Sequence, residues 1–531
     1  LIKEKCIDDL TIYNKPEGQV PRSAIILAAG FGLRMIPINI DRPKALLSIN
    51  GEIVIERLIR QLREAGVESI TVVVGYMKDE LNYLKEKYDI TLVENADYYE
   101  SNNLYSLFLV SEKISNTFIL PSDIWCRTNP FLSDETDSYY MIYEDGESRK
   151  KEYWGAMTGI AYIDHKDGEK LRQLLHAIVD SELAKTAFWE EALYDSQSLW
   201  IRPKIVPLDS IRQINTFEDL RELDSHSEHL QSEVVDIICQ TLQVETKDIS
   251  GITALKKGMT NRSFLFSCGN KKYIMRIPGE GTDLLINRQQ EFSVYGTLAG
   301  TDICDEVVYI NPEKGYKITR FIENARSCDL NNRLDLEKCM SKLREFHALE
   351  LQVNHDFDIF EQIDFYETLL DGAKSIYSDY EHIKKRVFSL ATYIDKHTDR
   401  KVLTHIDAVP DNFLIYSEDG VEEIRLIDWE YAGMQDPHVD IAMFCIYSLY
   451  NKEQIDELID IYFRGCCPTE IRIKIYCYIA ACGLLWSNWC EYKRSLGVDF
   501  GEYATSQYKY AKEFSLVLEN NSIVEEVWHL K

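Results

Sequence analysis

Cysteines at metal-ligand spacing are missing from this chain of 531 residues. Its thirteen cysteines are scattered from Cys6 to Cys490, with one adjacent pair at Cys466 and Cys467 and no Cys-x-x-Cys. An odd, dispersed set excludes a disulfide framework and a cysteine-held zinc site, and it reads as the reduced thiols of a cytoplasmic protein. Basic charge is scarce as well, with 59 Lys and Arg against 88 Asp and Glu and a net charge of −29. Nucleic-acid binding needs a basic footprint, so that partner class is excluded and any nucleotide site must be locally basic. No apolar run reaches the ~18–20 residues that cross a bilayer, and no basic-plus-apolar leader opens the chain, so membrane insertion is not expected. Internal repeats and low-complexity tracts are absent too, and nothing reports oligomeric state. The chain opens at Leu1 inside an amphipathic pattern, so residues 1–21 read as the remnant of a removed segment.

What is present exceeds the capacity of one core, so more than one domain is expected. From Ser23 to about Asp123, short apolar strands at 24–28, 70–74, 91–93 and 117–120 alternate with amphipathic stretches at 52–65 and 78–88. That alternation predicts βαβ units and a Rossmann-like, mostly parallel α/β sheet with ligands at strand carboxyl ends. The polar stretch from Asp224 to His229 marks a boundary, giving one domain at 22–224 and another at 225–531. In the second, strands expected at 253–256, 263–268, 272–277, 306–310 and 316–321 surround a helix at 288–299, and mainly helical sequence follows. This is the α+β layout of a two-lobed, protein-kinase-like domain, with a β lobe at about 250–325 and a helical lobe at about 326–531.

Residues 403–414 set His405, Asp407 and Asn412 at the spacing His-x-Asp-x-x-x-x-Asn, and Asp428 follows at the end of an apolar run. Phosphoryl transfer to a hydroxyl uses such a set, in which one Asp receives the hydroxyl proton while Asn and a later Asp hold Mg²⁺ on ATP. Asp407 is the candidate base, Asn412 and Asp428 are candidate metal ligands, and His405 braces the loop. Upstream, Arg276 stands on a strand from which a cation grips the α/β-phosphates, with Glu291 on the next helix as its expected ion-pair partner. The phosphate-covering loop, Gly258-Met-Thr-Asn261-Arg-Ser263, has one glycine where kinases have three. Side-chain donors from Asn261 and Ser263 would replace some backbone N–H groups. Any one of these elements could be a surface feature; their order along the chain points to a kinase.

Through Gly258-Met-Thr-Asn261, the Arg-Ile-Pro-Gly at 276–279, residues 405–414 and Ile-Asp-Trp-Glu-Tyr-Ala-Gly at 427–433, the C-terminal half resembles the bacterial choline kinases, relatives of the aminoglycoside phosphotransferases. The resemblance implies ATP and choline as substrates, with Glu430, Tyr431, Trp486 and Trp489 lining the choline pocket. A quaternary nitrogen donates no N–H hydrogen bond and is held by aromatic faces with a carboxylate at some distance. Trp486 and Trp489 lie three apart on one face of an expected helix at 479–492, a spacing that suits core packing equally well.

Toward the other end, Leu27-Ala28-Ala29-Gly30-Phe31-Gly32-Leu33-Arg34 reads as a buried strand entering a glycine turn, with Lys44 ten residues beyond Arg34. Ala28, Ala29, Gly30 and Gly32 are small where a triphosphate approaches the backbone, and Arg34 and Lys44 would stabilise charge on the α-phosphate and the departing pyrophosphate. A dinucleotide-binding turn would carry a third glycine, which is missing. Residues 24–47 resemble nucleotidyltransferases of the sugar-nucleotide pyrophosphorylase type, and within it the bacterial CTP:phosphocholine cytidylyltransferases. Asn102-Asn-Leu-Tyr-Ser106, Pro121-Ser-Asp123 and Phe188-Trp-Glu-Glu191 are similar to segments of that group. The resemblance implies CTP and phosphocholine as substrates, Asp123 as a Mg²⁺ ligand, and Asn103, Tyr105 and Trp154 near phosphocholine. Asn215 stands where the group carries a second metal carboxylate, and its carbonyl could still meet Mg²⁺ without contributing charge.

Joined, the halves imply consecutive steps from choline to CDP-choline, an activated donor suited to decorating a surface glycan or lipid. Two other expectations stay open: action on ethanolamine or another amino alcohol, and an N-terminal domain that only senses nucleotide because Asn215 weakens its metal site.

Overall fold

The computed structural model describes residues 22–32, 35, 37–38, 42–99, 101–132, 136–144, 157–179, 186–194, 199, 201–256, 261–279, 285–418, 420–498 and 500–519. Arg34, Trp154 and Gly258 lie outside the described residues. The chain divides into two compact units, one running to 257 with 264–270 added, the other made of 258–263 and the chain from 271. Segment 225–257 therefore groups with the first unit, and contacts explain why. Ser227 Oγ donates to Ser48 O at 3.2 Å, and Arg221 Nη1 donates to Ile249 O at 2.9 Å.

The first unit is built on a seven-stranded sheet in the order Arg202–Val206, Tyr139–Tyr143, Met157–Ile163, Thr117–Pro121, Arg22–Ala28, Val67–Val74, Thr91–Glu94. Arg22–Ala28 is central, paired in parallel with both neighbours, so its run Ala24-Ile-Ile-Leu27 is buried on both faces. The expected parallel pattern holds from Thr117–Pro121 to Thr91–Glu94. Met157–Ile163 departs from it, running antiparallel to both neighbours. The helix Val54–Glu64 buries Val54, Ile55, Leu58, Ile59 and Leu62, an apolar stripe of helical period.

In the second unit, Lys271–Pro278, Lys317–Arg320 and Val307–Ile310 pair antiparallel, and the helix Arg288–Leu298 follows the first of them. The helical lobe is organised around Thr469–Ser495, which is 27 residues long and far exceeds the expected 479–492 because nearly all its faces are covered by protein. Gly483 lets Glu502–Phe514 approach it: a β-carbon there would fall 2.7 Å from Gln507 O. No helix among the described residues is long and apolar enough to cross a membrane.

Candidate active sites

In the second unit the strand Val402–Thr404 delivers the chain into a loop held from below by Asp440, on the helix Val439–Tyr447. The Asp440 carboxylate is fully buried and accepts the His405 N–H at 3.1 Å and the Ile406 N–H at 2.8 Å. His347 Nε2 lies 2.9 Å from the same carboxylate. Ile406 has φ +69°, a genuine outlier for a β-branched residue, so its conformation depends on that grip. No spacing rule connects position 440 to this loop, and sequence reasoning missed it. Asp440→Asn removes the charge and puts an amide N–H opposite a backbone N–H. The expected result is a kcat for phosphorylation lower by about 10²-fold with the ATP KM little changed, read by steady-state kinetics; equal losses in both parameters would contradict a positioning role.

His405 is fully buried, which lowers its pKa and keeps the ring neutral, and its Nε2–H donates to Ile427 O at 3.0 Å. The ring braces the loop, as expected. Asn412 Nδ2 donates to Asp407 O at 2.9 Å and to Asp407 Oδ2 at 3.2 Å, so the candidate base and one candidate metal ligand touch. Ile427 N–H donates to Asn412 O at 3.0 Å, which draws the segment bearing Asp428 alongside. Asp428 has φ +67°. Burial first, then the charges of Asp428 and Glu430, push the Asp407 carboxyl up to about 8. Acidic groups this close call for a counter-charge.

Arg276 grips Glu291 with two parallel bonds, Nη1 to Oε1 at 2.5 Å and Nη2 to Oε2 at 2.7 Å. Burial alone would raise Glu291, but Lys317, Arg276 and Arg288 hold its carboxyl down to about 2. Glu430 joins this cluster. Asn261 Nδ2 donates to its Oε2 at 3.0 Å, Arg288 Nη1 donates to the same oxygen at 3.3 Å, and Arg276 lies 3.7 Å away. Arg288 and Lys317 were not singled out from sequence, although both are cations on elements adjoining Arg276. Ser263 is half-buried on the strand Asn261–Cys268.

Three expected aromatics are brought together. Tyr431 and Trp486 meet edge to face at 5.8 Å, and Trp486 and Trp489 at 5.4 Å. Both tryptophans are half-buried at the edge of the helical core rather than sealed in it. Phe500 lies 5.1 Å from Trp489, and Tyr503 lies 6.4 Å from Phe500. Buried Tyr366 hydrogen-bonds Tyr431 and senses the Asp407 charge, which ties this group of rings to the candidate base. Glu430 stands with the arginines while its charge still reaches Tyr431. A separate cavity of about 830 Å³, bordered by Tyr295, Asp305, Phe321, Tyr416 and Arg425, includes none of Asp407, Asn412, Asp428 or these aromatics.

In the first unit, Ala28 and Ala29 are buried and Gly30 is exposed at the end of the central strand. The Tyr76 N–H donates to Ala29 O at 3.0 Å, closing the turn. Gly32 has φ +69°, and a β-carbon on it would fall 2.3 Å from Lys44 Cε, so the lysine stem passes directly over this glycine. Lys44 Nζ then meets Asp123 Oδ2 at 3.0 Å, while Asp123 Oδ1 is buried with no hydrogen-bond partner among the described residues. Asp123 O accepts the Ile214 N–H at 2.8 Å, which sets the segment leading to Asn215 beside it. Asn215 Nδ2 donates to Gln213 Oε1 at 3.1 Å. Asn103 Oδ1 accepts the Trp189 N–H at 2.8 Å, and Tyr105, half-buried, has its pKa raised by burial and by Asp97. Among the described residues no cluster of three or more His, Cys, Asp or Glu could hold a metal unaided. Mg²⁺ bound mainly by phosphates and water needs only one or two protein oxygens, which Asp123 Oδ1 and the Asp407–Asn412–Asp428 group can supply.

A family model for choline/ethanolamine kinase matches residues 252–460, and one for a MobA-like NTP transferase domain matches residues 24–137. A choline-phosphate cytidylyltransferase of Streptococcus pneumoniae is 31% identical over 220 residues, covering 38% of this chain and 96% of the relative. Protein LicA of Haemophilus influenzae is 28% identical over 262 residues, covering 46% of this chain and 94% of the relative. Among solved structures, choline kinase LicA from Streptococcus pneumoniae has 30% sequence identity and a TM-score of 0.47, covering 54% of this chain and 99% of that one.

Proposed function

The chain belongs to the choline-phosphate cytidylyltransferase family in its first half and carries a choline/ethanolamine kinase domain in its second, and on that premise we propose that it makes CDP-choline from choline in two steps. The second half phosphorylates choline with ATP; the first half transfers CMP from CTP to the resulting phosphocholine. The observation that carries this reading is the juxtaposition of the Asp407–Asn412 pair with the rings of Tyr366, Tyr431, Trp486 and Trp489. A base for a hydroxyl and aromatic faces for a cation then serve the two ends of one small molecule. ATP and CTP are both cytoplasmic currencies, which supports a cytoplasmic setting for the activity.

In the kinase step, the rings hold the trimethylammonium and the choline hydroxyl is directed to Asp407, which orients it in line with the γ-phosphate and takes its proton. Arg276, kept straight by Glu291, offsets charge on the α/β-phosphates. Asn412 and Asp428 would hold Mg²⁺, which neutralises charge shared between the β- and γ-phosphates when bound. In the transferase step, the small turn 28–32 admits the triphosphate to the backbone. Lys44, released from Asp123, follows the charge that builds on the α-phosphate and pyrophosphate. Asp123 and Asn215 would hold the second Mg²⁺, and a phosphocholine oxygen displaces pyrophosphate directly.

Incubation of the protein with choline, ATP, CTP and Mg²⁺ tests the reading by mass spectrometry. CDP-choline and pyrophosphate are expected. Phosphocholine accumulating alone would instead favour a nucleotide-sensing N-terminal domain, and faster turnover of ethanolamine than of choline would overturn the substrate assignment. Trp486→Ala removes one aromatic face, worth about 1–2 kcal/mol to a desolvated cation. The choline KM is expected to rise about 5- to 30-fold at unchanged ATP KM.

A further inference from the structure

Glu190 is a buried carboxylate that neither proposed mechanism uses. Its Oε1 accepts from Tyr140 OH at 3.2 Å, and its Oε2 is sealed from solvent with no hydrogen-bond partner among the described residues. The Asn103 side chain also hydrogen-bonds this carboxyl. Burial is the main reason its pKa rises to about 7; Tyr140 and Asn103 oppose the rise, and neighbouring Glu191 adds to it. Among the described residues, no lysine or arginine is one of those influences. The surroundings hold the group firmly. Trp189 is 1% exposed, its ring lies 6.0 Å from that of Tyr140, and its N–H is anchored on Asn103 Oδ1 at 2.8 Å. Tyr140 and Trp189 belong to the same apolar cluster as Leu27 and Ala29, the residues that lead into the nucleotide turn. Glu190 as a whole keeps partial exposure.

An ionised carboxylate without a partner is costly to bury, and a bound cation removes that cost. The displacement itself needs no base here, since the attacking phosphate oxygen is already ionised. We propose that Glu190 is a specificity-determining residue of the transferase, the anionic group that recognises the positively charged nitrogen of the acceptor phosphate monoester, with Asn103 and Tyr140 orienting its carboxylate. The inference rests on the cytidylyl-transfer reading above, and it narrows the acceptor class to phosphate monoesters of cationic amino alcohols.

The test compares phosphocholine with 3,3-dimethylbutyl phosphate, its carbon isostere, in which a neutral tert-butyl group replaces the trimethylammonium. Both are assayed for CMP transfer in the full chain. Glu190→Gln is expected to lower kcat/KM for phosphocholine roughly 10- to 100-fold, to leave the isostere within about 3-fold, and to leave the CTP KM unchanged. Glu190→Asp, which keeps the charge, is expected to retain part of the preference for phosphocholine, and it serves if the glutamine variant fails to fold. Equal losses on both acceptors would mark Glu190 as merely structural and overturn the proposal; so would no loss on either. Wild-type protein that transfers CMP to neither acceptor would overturn the cytidylyl-transfer reading itself, a result distinguishable from both.

Discussion

Asp407→Asn is expected to lower choline phosphorylation by about 10²–10⁴-fold while the transfer of CMP to added phosphocholine stays at the wild-type rate. The substitution keeps the shape of the side chain and its contact with Asn412, but removes the oxygen to which the proposed mechanism assigns the hydroxyl proton. It also relieves crowding, because Asp407 sits in the field of Asp428 and Glu430. Folding should therefore not suffer, and thermal unfolding should be unchanged or slightly raised. The measurement is a pair of separate assays on one preparation, phosphocholine formation from ATP and choline and pyrophosphate release from CTP and phosphocholine. A loss in both would mean a global defect, and a kinase loss under about tenfold would remove Asp407 from the role of base.

Asp123→Asn is the mirror experiment, with an expected loss of about 10²–10³-fold in CMP transfer and an unaffected kinase. Two effects combine. The oxygen that would hold Mg²⁺, Oδ1, is buried and unpartnered, and Oδ2 is the counter-ion that parks Lys44 over Gly32. An amide at 123 weakens the first and mis-sets the second. Raising Mg²⁺ should recover part of the rate if the metal role dominates, whereas Lys44→Ala should show no such recovery. Recovery in both variants alike would separate Asp123 from the metal. With Asn215 neutral, Asp123 is the charged member of this pair of candidate ligands, so the variant should be more damaging than Asn215→Ala.

Several parts of these sites were legible in the chain because they are local. The spacing from His405 to Asn412 lies within one loop, and that loop closes on itself through the Asn412–Asp407 bond. The strand and turn at 24–32 were legible for the same reason: an unbroken apolar run followed by small residues means a central parallel strand meeting a ligand. The pair Arg276–Glu291 was readable from kinase order, since a strand and its next helix face each other over a short connection. Other features were closed to such reading. Helix Thr469–Ser495 was underestimated because a helix covered on all sides loses the amphipathic period that marks its ends. Glu430 follows Asp428 closely enough to look like part of one pocket, yet alternate residues of an irregular segment diverge, and its carboxylate turns to Arg288 and Asn261.

By itself the amino-acid sequence determined that two nucleotide chemistries share this chain, and which loops bear them, because catalytic loops are short and their spacing survives without knowledge of the fold. Only the tertiary structure decided what holds those loops. Asp440 comes from 34 residues beyond Ile406 to fix a strained backbone, Lys44 crosses Gly32 to reach Asp123, and Tyr366 and Phe500 join the rings of Tyr431, Trp486 and Trp489 from two other segments. Such contacts are set by burial and by the need to satisfy every buried charge, which depend on where whole elements pack and leave no fixed interval along the chain.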